Sequence, residues 1–170
     1  MYSPTREKIF ETMKHYADKL KLRDSKVLEV GIGGDPEYQE GKKGGNYGYF
    51  GNGNDYKTLD CCSKYNPDYV QDICKTDLPD ESFDLIILSQ TLEHIYTPIE
   101  AFKECNRLLK KDGHLIVDCP WNYPQHDTEE TGDFYRYTPM FFERTGEENG
   151  FKIIEENVST YLVSCLMQKL

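Results

Sequence analysis

KVLEVGIGGDPE, residues 26–37, is a short apolar run that breaks into closely spaced glycines. Val27, Leu28 and Val30 favour a strand, Glu29 is the one acid among them, and Gly31, Gly33 and Gly34 follow where a strand would turn over. A glycine turn lets a ligand approach the backbone, because no Cβ stands in the way. In an open α/β sheet, ligands sit beyond the carboxyl ends of the strands. A dinucleotide fingerprint of the form G-x-G-x-x-G would need glycine at position 36, which is Pro36, and a helix N-terminus to receive the pyrophosphate. From Gly31 to Gly53 lie nine of the thirteen glycines with almost no apolar periodicity, so a helix of ordinary length is not expected there. A phosphate cradle is therefore disfavoured.

Outward from this turn, the elements alternate. Ile9, Phe10, Met13, Ala17 and Leu20 recur at helical spacing after Ser3-Pro4, which fits a cap and a first helical position. Short strands are predicted at 56–60 and 68–72, and the apolar run 83–89 reads as a strand buried on both faces. The segment 97–113 predicts a helix with Thr97 as cap, Pro98 in its first turn, Glu100 completing a capping box and Gly113 at its end. A strand at 114–120 follows, then a helix from Thr138-Pro139 to near Gly150, then strands at 151–158 and 161–168. This order predicts one α/β domain over residues 1–170, with a mainly parallel seven-stranded sheet and an antiparallel pair at one edge. The helix between the first two strands is expected to be shortened or missing.

Composition narrows the partners. The net charge of −10 argues against nonspecific binding to nucleic acid or to an anionic membrane. The longest apolar run, Leu85 to Leu88, is too short to span a bilayer, and the N-terminal stretch lacks the apolar core of a signal peptide. Six cysteines occur without a C-x-x-C pair, so they read as free thiols in a reducing compartment, and the expected location is cytoplasmic.

The successive strand ends carry Gly31 and Gly33, then Asp60, then Asp72-Ile73, then Ser89-Gln90. An acid closing one strand can accept both hydroxyls of a ribose. An acid beside an apolar residue can bond an exocyclic amine while its neighbour packs on the base. On VLEVGIGG, LDCCSKYNPDYVQDIC, LPDESFDLIILSQTLEHI and AFKECNRLLKKDGHLIVDCP, the chain resembles the class I S-adenosylmethionine-dependent methyltransferases, in the broad group with a Leu-Glu-His motif. The resemblance runs from about Lys26 to Glu155 and implies a Rossmann-like fold with S-adenosyl-L-methionine as cofactor. It further implies that Gly31, Gly33 and Gly34 line the methionine end, with Glu29 near the cofactor's amino group or an ordered water. By the same resemblance, Asp60 binds the ribose, Cys61 lies close to the adenine, and Asp72 and Ile73 hold the adenine edge and face. Ser89 and Gln90 would meet the methionine portion. Asp35 stands where the family's third glycine is usual.

Methyl transfer from a sulfonium needs acceptor, methyl and sulfur in line. A hydroxyl acceptor also needs its proton removed, for which His94 and His126 are the candidates. The alternative is that His94 supports its loop and His126 lies on a polar surface. Trp121, Tyr123, Phe134, Tyr135 and Tyr137 would wall an acceptor pocket, with Asp127, Glu129, Glu130 and Arg136 as polar groups. That wall suits a sugar or another small hydroxylated acceptor of glycan or natural-product type. Metal-dependent members of the family carry glutamate where this chain has Gln90, so no metal is assigned, and an ion on Glu93, His94 and His126 is the lesser reading. A cofactor-binding protein without turnover remains the alternative to an enzyme.

Overall fold

The computed structural model describes residues 4–33, 45–126 and 131–170. Within them a seven-stranded sheet runs β3-β2-β1-β4-β5-β7-β6, formed by β1 (Lys26–Val30), β2 (Asp55–Asp60), β3 (Tyr69–Val70), β4 (Phe83–Ser89), β5 (Leu109–Pro120), β6 (Phe151–Val158) and β7 (Leu162–Lys169). The first five strands pair in parallel, and β7 runs antiparallel between β5 and β6. The predicted α/β class and the antiparallel pair at one edge are both present, with β6 as the edge strand.

Alternation along β4 divides the core. Leu85 and Ile87 point to one face with Met13 and Tyr16 of α1 (Pro4–Leu20), while Ile86 and Leu88 point to the other with Phe102 and Leu108 of α3 (Pro98–Leu108). All of these side chains are fully buried, as a strand covered on both faces requires. The face carrying α3 also takes Phe142 of α4 (Pro139–Glu148). Between β1 and β2 the described residues hold one short helix, α2 (Tyr47–Phe50), which buries Phe50 against Tyr56 and Val27. The expectation of a shortened or missing helix falls largely on residues 34–44, which lie outside the described residues.

Two local expectations are corrected. The helix predicted over 97–113 ends at Leu108, and the strand starts at Leu109 rather than at His114. Leu109 is fully buried opposite Phe83, and the Lys110 ammonium reaches Asp84 of β4 at 2.7 Å. Pairing with β4, with a register shift between Phe83 and Leu85, overrides the helical propensity of this stretch. Nor does a capping box form: Thr97 makes no side-chain cap bond, its hydroxyl donates to the Cys74 sulfur, and Glu100 takes Lys103 instead. Its backbone, at φ −117° and ψ 68°, turns the hydroxyl away from the helix. All six cysteines are free thiols. No helix among the described residues is long and apolar enough to cross a membrane.

Candidate functional site

Register brings the strand ends to one level. Val30 lies opposite both Leu59 and Leu88, and Ser89 opposite Asp118, so Gly31, Asp60, Ser89 and Asp118 emerge together. This is where strand order reverses between β1 and β4, the place at which open sheets bind ligands. Gly31 has a φ of +75°, and a Cβ there would meet Thr91 Oγ1 at 2.3 Å. Thr91 crowds Gly31 for a reason. Its hydroxyl lies 2.9 Å from the Val30 carbonyl and 3.0 Å from the Ser89 carbonyl, so its shared proton straps β1 to β4.

Beyond these ends lies a cleft of about 320 Å³. Gly31, Gly33, Asp60, Cys61, Asp72, Ile73, Gln90 and His94 all line it. Asp60, almost fully buried, accepts the Gly33 backbone N–H at 3.0 Å through one oxygen and the Cys62 N–H at 2.8 Å through the other. The carboxylate thereby fixes the glycine turn while keeping lone pairs on the cleft side. Asp72 Oδ1 accepts the Cys74 N–H at 2.9 Å, and buried Ile73 supplies an apolar wall beside it. Tyr65 and Thr91 also line the cleft, and sequence reasoning passed over both. Only a packed neighbour reveals Tyr65: a Cβ on Gly33 would strike its ring at 2.5 Å.

Two described residues anticipated from sequence, Glu29 and Ser89, are not among those lining the cleft. Gly34 lies outside the described residues, as do Asp35, Asp127, Glu129 and Glu130. Glu29 is buried and is not among the residues lining the cleft; it accepts from Asn46 Nδ2 and the Tyr56 hydroxyl at 2.5 Å each, and joins the segment before α2 to β1 and β2. Ser89 is not part of the cleft lining, and its register partner is Asp118. Asp118, fully buried and unremarked in the sequence, holds Gln90 in place: the side-chain amide donates to Asp118 Oδ1 at 2.5 Å. Burial pushes the Asp118 carboxyl up to about 6, against the hydrogen bond from Gln90.

At the far end of the cleft, Leu92–His94 forms a 3-10 turn, and the segment after residue 130 lies over it. The Phe134 N–H donates to the Glu93 carbonyl at 2.8 Å, the Tyr137 hydroxyl to the Leu92 carbonyl at 2.9 Å, and the Tyr135 hydroxyl to the Tyr96 carbonyl at 2.9 Å. These ties bring His126 to His94, with ring centroids 5.2 Å apart. His94 Nδ1 lies 2.5 Å from the Gly132 carbonyl, and burial pushes its imidazolium down, so the neutral ring is favoured. Asp133 anchors the segment. It accepts the His126 backbone N–H at 2.8 Å and pairs with Arg136 at 2.6 Å, and the Arg136 hydrogen bonds hold its carboxyl down at about 2. Phe134, Tyr96 and Tyr123 are exposed beside the histidines, whereas Tyr137 is buried and belongs to the core rather than to an acceptor wall. Its hydroxyl needs the buried Leu92 carbonyl as partner.

Residues 28–117 match a family model described as a methyltransferase domain. No curated protein matches the chain in sequence. Among solved structures, a Burkholderia thailandensis 1,6-didemethyltoxoflavin-N1-methyltransferase with bound 1,6-didemethyltoxoflavin and S-adenosylhomocysteine has a TM-score of 0.72 at 13% identity, over 97% of this chain and 80% of that one. A putative sarcosine dimethylglycine methyltransferase from Galdieria sulphuraria has a TM-score of 0.73 at 14% identity, over 99% of this chain and 90% of that one. The [4+2]-cyclase SpnF has a TM-score of 0.66 at 13% identity, over 93% of this chain and 80% of that one. At such identities the likeness establishes a shared fold.

Proposed function

The chain belongs to the methyltransferase-domain family, and from that premise we propose that it methylates a small hydroxylated acceptor, of sugar or natural-product kind, on oxygen. It is an S-adenosylmethionine-dependent methyltransferase. In our reading the 170 residues form one catalytic domain, working in the cytoplasm, where free thiols persist.

The observation that carries the reading is the gathering of these groups in one cleft: Gly31 and Gly33, Asp60, Asp72-Ile73, Gln90 and His94. Gly31, Gly33 and Gly34 take the methionine end, with Gln90 facing them and Ser89 behind it. Asp60 accepts the ribose hydroxyls with the lone pairs that Gly33 and Cys62 leave open. Cys61 flanks the adenine, Asp72 meets its exocyclic amine, and Ile73 packs on its face. Glu29, held by Asn46 and Tyr56, lies near the cofactor's amino group or an ordered water. The sulfonium already activates the leaving group, so the protein's work is alignment and removal of the acceptor proton. His94 and His126 are the groups placed for the second task. The exposed rings of Tyr96, Phe134 and Tyr123 can stack on the flat or C–H face of an acceptor.

The test is calorimetric titration with S-adenosylmethionine, followed by incubation with labelled cofactor and a library of hydroxyl and amine acceptors. Saturable binding and label transfer to hydroxyl compounds are expected. Transfer to amines alone would move the reading to nitrogen, the acceptor atom that the name of the toxoflavin neighbour specifies. A second reading, cofactor binding without methyl transfer, draws on the cyclase among the structural neighbours. Binding without transfer to any acceptor would favour it. If the cofactor does not bind, both readings fail.

A further inference from the structure

Glu93 stands in the Leu92–His94 turn, fully buried, and neither of its carboxylate oxygens has a hydrogen-bond partner among the described residues. A buried carboxylate is normally paired or hydrogen-bonded, because desolvation is otherwise too costly. The groups that face it come from two elements besides its own turn. β5 supplies Asp118 and the Cys119 thiol, and the segment after residue 130 supplies Asp133, Arg136 and Tyr137. None of them answers the carboxylate. Burial keeps the Cys119 thiol and the Tyr137 phenol protonated, and the phenol donates to the Leu92 carbonyl. Arg136 is taken by Asp133 at 2.6 Å and by the Tyr123 and Pro124 carbonyls at 3.0 Å and 2.8 Å. His94 remains, with Nε2 3.9 Å from Glu93 Oε1, and the His126 ring stands against it.

That separation is too long for a hydrogen bond but short enough for opposite charges to stabilise each other. Nδ1 of His94 lies 2.5 Å from the Gly132 carbonyl, which places the ring proton there and the lone pair on Nε2. His94 lines the cleft and Glu93 does not, so an acceptor meets the imidazole and not the carboxylate. In the proposed reaction the acceptor O–H bond breaks as its proton moves to Nε2. The oxygen–methyl bond forms as the sulfur–methyl bond breaks, and the positive charge passes from sulfonium to imidazole. Burial disfavours that charge at His94, and the His126 and Arg136 charges add to the cost against Asp133. An ionised Glu93 is the group placed to offset it.

We propose that Glu93 is a positioning residue for methyl transfer: acting through His94, its carboxylate stabilises the charge left on the imidazole when the acceptor gives up its proton. The proposal rests on the reading of His94 as proton acceptor. Glu93 must be ionised to act, and burial, with Asp118 and Asp133 nearby, pushes its carboxyl up to about 8 against the pull of Arg136. Below that value Glu93 keeps a proton, and His94 can take the acceptor's proton only as an uncompensated cation. Turnover should therefore rise with pH through about 8. It should not follow the range of His94 itself, which burial pushes below 6.5.

The experiment uses the full chain with a chelator present, and it has two readouts. By NMR without acceptor, the His94 ring signals should show a step near pH 8 that is absent in Glu93→Gln. Asp118, raised to about 6, is already ionised there and does not supply that step. The second readout is turnover of labelled S-adenosylmethionine with the hydroxyl acceptor that the library selects. Glu93→Gln should lose about 10- to 100-fold in kcat, the effect of one to two pKa units at the imidazole. Its rising limb should move from about 8 to below 6.5, with native cofactor affinity. Glu93→Asp keeps the charge and should recover part of the rate and the limb. Native rate and limb in Glu93→Gln, or no step in the native His94 signals, would overturn the proposal. So would turnover that requires an added divalent cation. If Glu93→Gln does not fold by circular dichroism, Glu93→Asp and the native NMR step decide by the same criteria. Native turnover in His94→Gln would sink the reading of His94 as base, and this proposal with it. Lost turnover in His94→Gln beside native behaviour in Glu93→Gln would overturn this proposal alone.

Discussion

Asp118 holds Gln90 twice: the Gln90 backbone N–H donates to the Asp118 carbonyl at 2.9 Å, and the side-chain amide donates to the carboxylate at 2.5 Å. The pair keeps Gln90 at a φ of +52°, a left-handed conformation that would relax without it. The site's geometry at the β4 end thus depends on an acid inside the sheet.

That acid gives stability a pH dependence. Burial raises the folded-state Asp118 carboxyl from 3.8 to about 6. Between these values the unfolded chain releases a proton that the folded chain keeps. Asp118 therefore lowers stability as pH rises through this window, by at most about 1.4 kcal/mol per unit, and adds no further slope above it. In Asp118→Asn that contribution should vanish, whatever the variant's absolute stability. Urea midpoints measured from pH 4 to 7 for both proteins check this, and parallel curves would refute it.

Asp60→Ala removes the acceptor for the Gly33 and Cys62 N–H groups and the proposed ribose ligand together. Hydrogen bonds to a charged group contribute about 1.5–3 kcal/mol, so cofactor affinity should drop about 10- to 100-fold. Calorimetry reads this directly, and unchanged affinity would displace Asp60 from the ribose.

Gly31→Ala forces a side chain into a left-handed backbone and against Thr91. The backbone contributes about 1–2 kcal/mol of destabilisation, and overpacking about 1–3 kcal/mol more. Pairing it with Thr91→Ala in a double-mutant cycle should recover most of the packing part, since only the Thr91 Cβ at 2.9 Å remains, and leave the backbone part. Strict additivity of the two thermal shifts would show that the residues do not compete for space.

His94→Gln and His126→Gln should lower turnover by about 10²- to 10⁴-fold if either ring serves the acceptor proton. Affinity for S-adenosylmethionine should stay close to native in both, measured by the same titration. Equal losses of turnover and cofactor affinity would make the rings structural.

The sheet was legible because its signals are local. A continuous apolar run such as 83–89 is a buried strand wherever it sits, and an acid closing β2 or standing just past β3 is visible at once. The start of β5 was not legible: Leu109 and Lys110 belong to a strand only because Phe83 and Asp84 lie opposite. Thr91, Tyr65 and Asp118 carry no motif, since their roles are contacts with Gly31, Gly33 and Gln90 from distant parts of the chain.

By itself, the sequence determined the α/β class, the glycine turn after β1 and the row of acids at successive strand ends. It did so because strand propensity and glycine's backbone freedom act within a few residues. Only the tertiary structure decided that Glu29 is buried against Asn46 and Tyr56. It also decided that Glu93, His94 and His126 meet, because three hydrogen bonds fold the 131–137 segment back over the Leu92–His94 turn. Burial and convergence are properties of packing, and no spacing along the chain encodes them.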